Sequence, residues 1–398
     1  MKFVLTHIII FSGFLSAAAQ HVNFEASLKV AFDKAQLQHK IVFVEYYNAE
    51  CSVCKKLEPV FSDNDMAAFY NEHFISYKLN TENIKKEDSL FIANARFRFE
   101  SVPWFIFFDA NGNFVHYSGA KNDITYLVDA GKTAMEPTNR AADLVNKYNS
   151  GDRTIKSLYA YSNLLALYKN DSLRSIIADD LFRVFPKEDL GTEKSYVITK
   201  NCVESIDNGF FQYWIAHIAE IKEREKNQKS AHEINVLGNI LKKSINSNER
   251  KGWDLAKIRS VKQMILQTEM SKDPDAFFWE QESTLLVKEN RNKEAMALFN
   301  RQIASDSEAI SPSVYTITHF LNLFTAKNSL NSIKAVIDKL SLKKAGKAEK
   351  ADLMYVSVLF YKKINDKKNA TRMAHEAMSF DKANNIDDAK LRSLIAGS

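Results

Sequence analysis

The sequence predicts an α/β domain, a mixed sheet flanked by helices, followed by an all-α domain built from helical hairpins. Three observations carry that expectation. As far as residue 136, short apolar runs rich in Val, Ile, Phe and Tyr alternate with segments of helical period, the pattern of parallel strands joined by crossovers. Two aromatic-rich runs are separated by Asn111-Gly112, a strong short-range signal for an antiparallel pair. Beyond Met135-Glu136-Pro137 strand signals almost vanish, Gly is sparse, and only Pro186, Pro274 and Pro312 interrupt the chain, so long helices are permitted.

The chain opens with Lys2, an apolar run from Phe3 to Leu15 and the small residues Ser16-Ala17-Ala18-Ala19, the layout of a secretory signal peptide. Cleavage after Ala19 leaves Gln20 as the mature N-terminus. The competing reading, an uncleaved membrane anchor, needs about 20 apolar residues, and this run is shorter. The sequence therefore divides into a signal peptide at 1–19, an α/β domain at 20–136 and a helical domain at 137–398.

Within the first domain the expected elements are a helix from Glu25 to Gln38, a strand from Ile41 to Asn48 and a helix from Cys54 to Asn71. A strand from Phe74 to Asn80 and a helix from Asp88 to Phe97 come next. The hairpin strands Trp104 to Asp109 and Phe114 to Ser118 precede a closing helix from Asp123 to about Lys132. In the second domain, Ala295–Phe299, Ile333–Ile337 and Ala370–Ala374 recur at a nearly constant offset. Each follows another helix-period segment: Phe277 to Lys288, Ser313 to Thr325 and Ala351 to Ile364. The spacing resembles tetratricopeptide-like hairpins, which bury their faces by stacking. The Trp, Tyr and Pro positions of that consensus are mostly absent, and an irregular helical bundle is the alternative.

The formal charge of +5 is spread over interleaved Lys and Glu rather than gathered in a block, so it describes a solvated surface. With an export signal, nucleic-acid binding is excluded. An exported chain of 398 residues with three cysteines can build its own cores and is not a disulfide scaffold. Cys51 and Cys54, three apart, lie where the apolar strand gives way to a helix. A helix start offers unpaired N–H groups and the positive end of the dipole, which favour a thiolate there. The thiolate is the reactive form, so the pair is a candidate redox centre. Zinc would need four ligands, and His39 and His73 have no ligand spacing to the pair. Cys202, in an amphipathic helical stretch, is expected to be a small buried hydrophobe. No cofactor or metal is implied.

These features in this order resemble the thioredoxin superfamily across residues 22 to 133. The residues that carry the resemblance are Cys51-Ser52-Val53-Cys54, Pro59 in the following helix, Glu45 before the first cysteine, Lys78 on the next strand, Pro103 opening the hairpin and Gly119 after it. The resemblance implies that Cys51 is the attacking thiolate and Cys54 the resolving thiol. It also implies that Glu45 is a buried acid able to take the Cys54 proton, with Lys78 offsetting its charge, and that Pro103 is cis. Val102, Pro103 and Trp104 would meet an extended substrate segment by strand addition. A half-exposed Glu45 and a solvated Lys78 without roles in transfer are the plain alternatives.

Three positions depart from the family. Glu50 precedes Cys51 where Trp is common, and its charge opposes the thiolate while Lys55 and Lys56 favour it. Ser52-Val53 replaces Gly-Pro between the cysteines, which leaves the direction of electron flow open. Trp104 stands where a small Thr is usual, and packing in the core is its favoured role.

The chain is also similar to multi-domain thioredoxin-family proteins of bacterial envelopes. That resemblance implies an exported, periplasmic thiol-disulfide oxidoreductase acting on protein thiols and disulfides with a redox partner protein. The rival from another class is a helical-repeat scaffold on which the thioredoxin-like domain is a docking or redox-sensing module with little turnover.

Overall fold

A computed structural model describes residues 21–398, apart from 87, 90, 92–96, 98–100, 120, 229–233, 307–308 and 397–398. The signal peptide expected at 1–19, and most of the helix expected at 88–97, lie outside the described residues. The chain divides into two compact units, Met1–Trp214 and Ile215–Ser398.

The first unit holds a four-stranded mixed sheet with helices on both faces. Its strands are β1 (Ile41–Tyr47), β2 (Phe74–Asn80), β3 (Trp104–Phe108) and β4 (Phe114–Gly119), in the spatial order β2-β1-β3-β4. β1 and β2 are parallel; β3 runs antiparallel to both β1 and β4. The hairpin turn has Gly112 at φ +84°, a left-handed conformation that glycine adopts without steric cost.

Period-two alternation sorts the strands between two aromatic cores. Phe43, Phe105 and Phe107 face one side, where Phe43 lies 4.9 Å from Tyr70 and 5.1 Å from Phe105 between ring centroids. That side is covered by α3 (Asn64–His73) and α4 (Ile124–Met135), which supply Met66, Tyr70, Leu127 and Ala134. Phe108 faces the other side and meets Phe91 and, from α1 (Leu28–Gln38), Phe32.

Local chemistry moves two helix boundaries from where sequence pattern alone would put them. The first helix starts at Leu28 rather than Glu25 because the Ser27 hydroxyl accepts the Val30 N–H and caps it there. The helix expected from Cys54 to Asn71 is three pieces: α2 (Ser52–Lys55), a 3-10 turn at Val60–Ser62 and α3. Pro59 has no N–H to donate and cannot continue a helix, and Asp63 then caps α3 through the N–H groups of Asp65 and Met66.

Helices follow the sheet in the same unit. Leu144–Asn149, Ile155–Leu167, Asp171–Val184 and Glu193–Cys202 are joined by short connections. The Tyr168 ring, just past the second of these, stacks on Phe97 at 5.0 Å, and the backbone N–H of Ala141 donates to His116 Nδ1 on β4 at 3.1 Å. Cys202 is fully buried and burial pushes its thiol up to about 11, so it packs as the small hydrophobe expected.

Among its described residues the second unit has helices and no strand. The three segments with a shared offset are the second helices of consecutive hairpins: Asp275–Lys288 with Asn292–Ser305, Ile310–Leu323 with Lys327–Ser341, and Lys347–Lys363 with Lys367–Asn384. The first and third hairpins turn through a left-handed residue, Asn290 and Asn365, and Lys169 plays the same part in the first unit. In each turn the next N–H reaches back to a carbonyl in the last turn of the first helix, closing it as a Schellman motif does. The first two hairpins and the first helix of the third share one apolar core centred on Leu298, Phe299, Ile317, Phe320, Ile333 and Val356, while Ala374 and Ala377 of the last hairpin helix pack with Val358 and Leu391 in a smaller cluster.

Candidate functional site

The two thiols occupy the junction of β1 and α2. Cys51 caps α2: its φ of −70° and ψ of 116° are extended, and its Sγ accepts the Cys54 N–H at 3.2 Å. The same sulfur lies 3.7 Å from the Val102 carbonyl, to which the thiol donates. The segment before β3 is thereby set against Cys51, and the Val102–Pro103 peptide is cis. Cys51 is half-buried, Cys54 is buried, and both are free thiols.

The two sulfurs are driven apart in acidity. Partial burial opposes ionisation of Cys51, but hydrogen bonds from the Cys54 thiol and from the Cys54 and Val53 N–H groups, with the charge of Lys55, carry it below its ordinary value. Glu50, whose charge opposes the thiolate, pairs with Lys55 at 3.6 Å, and the net shift remains downward. Burial pushes the Cys54 thiol up to about 11, reinforced by the Cys51 hydrogen bond.

Beneath the pair lies an acid. Glu45 is 1% exposed, on the face of β1 shared with Phe43, and burial lifts its carboxyl to about 7 although Lys78 works against the rise. Glu45 and Lys78 are directly opposite in the parallel register of β1 and β2. Glu45 Oε2 is 3.4 Å from Lys78 Nζ, an ion-pair distance, and makes no hydrogen bond. Glu45 also sits close enough to Cys54 for its charge to raise the thiol further.

Trp104 begins β3 opposite Tyr46 on β1 and Gly119 on β4, half-buried, with its ring 6.0 Å from Tyr117. Gly119 has open space where a side chain would begin. The structure thus brings Cys51, Cys54, Glu45, Lys78 and Val102 to one end of the sheet, with Pro103 and Trp104 leading from it along β3.

Sequence reasoning missed Glu58. It is the nearest partner of Lys78, with Oε1 2.6 Å from Nζ. The rings of Phe24 and Phe61 flank the same ammonium at 4.8 and 4.7 Å. A carboxylate one helical turn beyond Cys54 was the available signal.

Residues 28–128, about a quarter of the chain, match the family model of the thioredoxin-like domain. This part of the chain is a thioredoxin-superfamily domain, followed by a helical region. A solution structure from Bacteroides thetaiotaomicron, assigned provisionally as a disulphide-isomerase, is similar at 26% identity over 30% of this chain and 98% of its own, with a TM-score of 0.26. No curated protein matches the chain.

Proposed function

We propose that this protein is an exported thiol-disulfide oxidoreductase that exchanges disulfides with protein clients through Cys51 and Cys54. The observation that carries the reading is the Cys51 sulfur at the start of α2, holding the Cys54 N–H at 3.2 Å beside a carbonyl of the Val102–Pro103 segment. A sulfur so placed ionises readily and faces the route of an extended client.

In the proposed reaction the Cys51 thiolate attacks a client disulfide. A Cys51–client bond forms as the client's own S–S bond breaks, and one client sulfur leaves as a thiolate. Cys54 then loses its proton to the Glu45 carboxylate and attacks Cys51 Sγ, closing the 51–54 disulfide and releasing the second client thiolate. The client gains two electrons and the pair gives up two, to be restored by a redox partner protein carrying a dithiol. Running the same steps backward oxidises a client. Lys78 balances the Glu45 charge, and Val102, Pro103 and Trp104 line the client's path. Export to the periplasm rests on the leader at 1–19. It predicts Gln20 as the first residue of the mature protein, read by N-terminal sequencing.

The deciding experiment is reduction of insulin by the mature chain with dithiothreitol as the electron source. Activity that vanishes in Cys51→Ser supports the enzyme. A chain that is inert with both cysteines intact overturns it in favour of the scaffold reading.

A further inference from the structure

Lys78 lies between two carboxylates of opposite character. Glu45 is sealed under the sheet end at 1% exposure, whereas the Glu58 side chain is 59% exposed. One ammonium can satisfy both only if its position suits both, and it does not. Its hydrogen bond goes to Glu58 at 2.6 Å, and Glu45 Oε2 is left at 3.4 Å without a donor. The rings of Phe24 and Phe61 close two further sides of the ammonium, and Tyr47 lies 5.8 Å away, so the cation is held from several directions.

We propose that Glu58 is a positioning residue of the exchange site: by drawing the Lys78 ammonium toward the surface it keeps the Lys78–Glu45 contact long and leaves Glu45 the stronger base toward Cys54. This rests on the dithiol reading above, in which Glu45 receives the Cys54 proton. A buried carboxylate with one oxygen left without a hydrogen bond is a poor anion, and burial raises the pH at which it loses its proton. Were the ammonium to hydrogen-bond Glu45 instead, Glu45 would stay ionised through the physiological range. It would then take up the Cys54 proton less readily. The titratable and charged groups facing Glu45 are Lys78 from β2, Cys54 from α2 and Glu58 from the turn beyond it; its neighbour across β3 is the uncharged Phe105. The negative charge of Glu58 adds to the same effect by direct repulsion.

The test is the titration of the Glu45 carboxyl by carbon-13 NMR in the reduced, full-length protein labelled at glutamate. The signal is assigned by its loss in Glu45→Gln. Glu58→Gln and Glu58→Ala are expected to lower the Glu45 midpoint by about one pH unit, a tenfold change in its proton equilibrium. Lys78→Met is expected to raise it. The acid limb of the insulin-reduction pH profile moves down with the midpoint in the Glu58 variants, which a merely structural role for Glu58 does not predict. A Glu45 midpoint that stays put or rises in both Glu58 variants, with wild-type far-UV circular dichroism, overturns the proposal. A wild-type chain that fails to reduce insulin sinks the oxidoreductase reading instead, and the titration still decides what Glu58 does to Glu45.

Discussion

Replacing Glu45 by Gln removes one buried ionisation while keeping the shape of the side chain, and its consequence is a change in how stability depends on pH. Burial holds the native carboxyl at about 7 against its ordinary value of 4.5. Below 4.5 both the folded and the unfolded chain carry the proton, and the site costs nothing. Between 4.5 and 7 the unfolded chain has released a proton that the folded chain retains, so stability falls as pH rises. Above 7 both forms are ionised and the loss is complete. At 1.36 kcal/mol for each pH unit between the two values, the loss is on the order of 3 kcal/mol. Every other titrating group is common to wild type and variant, so the stability of Glu45→Gln relative to wild type is expected to climb by that amount between pH 4.5 and 8.

The assay equilibrates each protein in urea at several pH values and then applies a brief deuterium pulse at one fixed pH. Mass spectrometry of peptides from β1 reports the unfolding midpoint of this domain separately from the helical unit. Parallel stability curves for wild type and Glu45→Gln would refute the reasoning, because they would mean that the carboxyl titrates alike in the folded and unfolded chain.

Other consequences are open to direct measurement. Iodoacetamide at neutral pH is expected to alkylate Cys51 and spare Cys54, whose thiol is held near 11, and Lys55→Glu should raise the Cys51 midpoint; prior labelling of Cys54 contradicts the assignment of roles. Cys54→Ala should accumulate mixed disulfides with client proteins, visible as reducible bands, whereas Cys51→Ala should not, and equal trapping by both would reverse the attacking and resolving roles. A Cβ at position 131 would meet Phe69 at 2.8 Å and Phe74 at 3.1 Å, so Gly131→Ala is expected to destabilise the packing of α4 on α3 by about 1–3 kcal/mol, read as a lowered urea midpoint in the first unit. Phe320, fully buried and 5.1 Å from Phe299 between ring centroids, should cost about 3–5 kcal/mol on truncation to Ala, with the drop confined to helical-unit peptides.

The strand cores and the hairpin were legible because they are local. The apolar runs Ile41–Tyr47 and Phe74–Asn80, and the Asn-Gly turn, depend on neighbours a few residues away, and the structure has those strands where the pattern puts them. The paired helical segments near 295, 333 and 370 were legible for the same reason. The break at Pro59 was visible as a residue, but its outcome depended on Asp63 standing ready to cap a new helix. The charge balance at Cys51 was beyond sequence reasoning, since Glu50 and Lys55 oppose one another and only their distances and exposures set the sum.

What the chain's order of residues determined by itself is the chemistry available at one sheet end: two thiols separated by one helical turn, an acid on the strand before them and a lysine on the strand after. Spacing along a helix or strand is fixed by backbone geometry, which places each group on its element; that they share one site was implied by the resemblance to the thioredoxin superfamily. Only the tertiary structure decided which carboxylate holds Lys78, because Glu58 and Lys78 are 20 residues apart and meet through packing rather than repeat. Whether a buried carboxylate has a hydrogen-bond donor is set over a few tenths of an ångström by the rings and charges around it. Burial is what leaves Glu45 a proton near neutral pH, and the distance to Lys78 sets how strongly the ammonium opposes it.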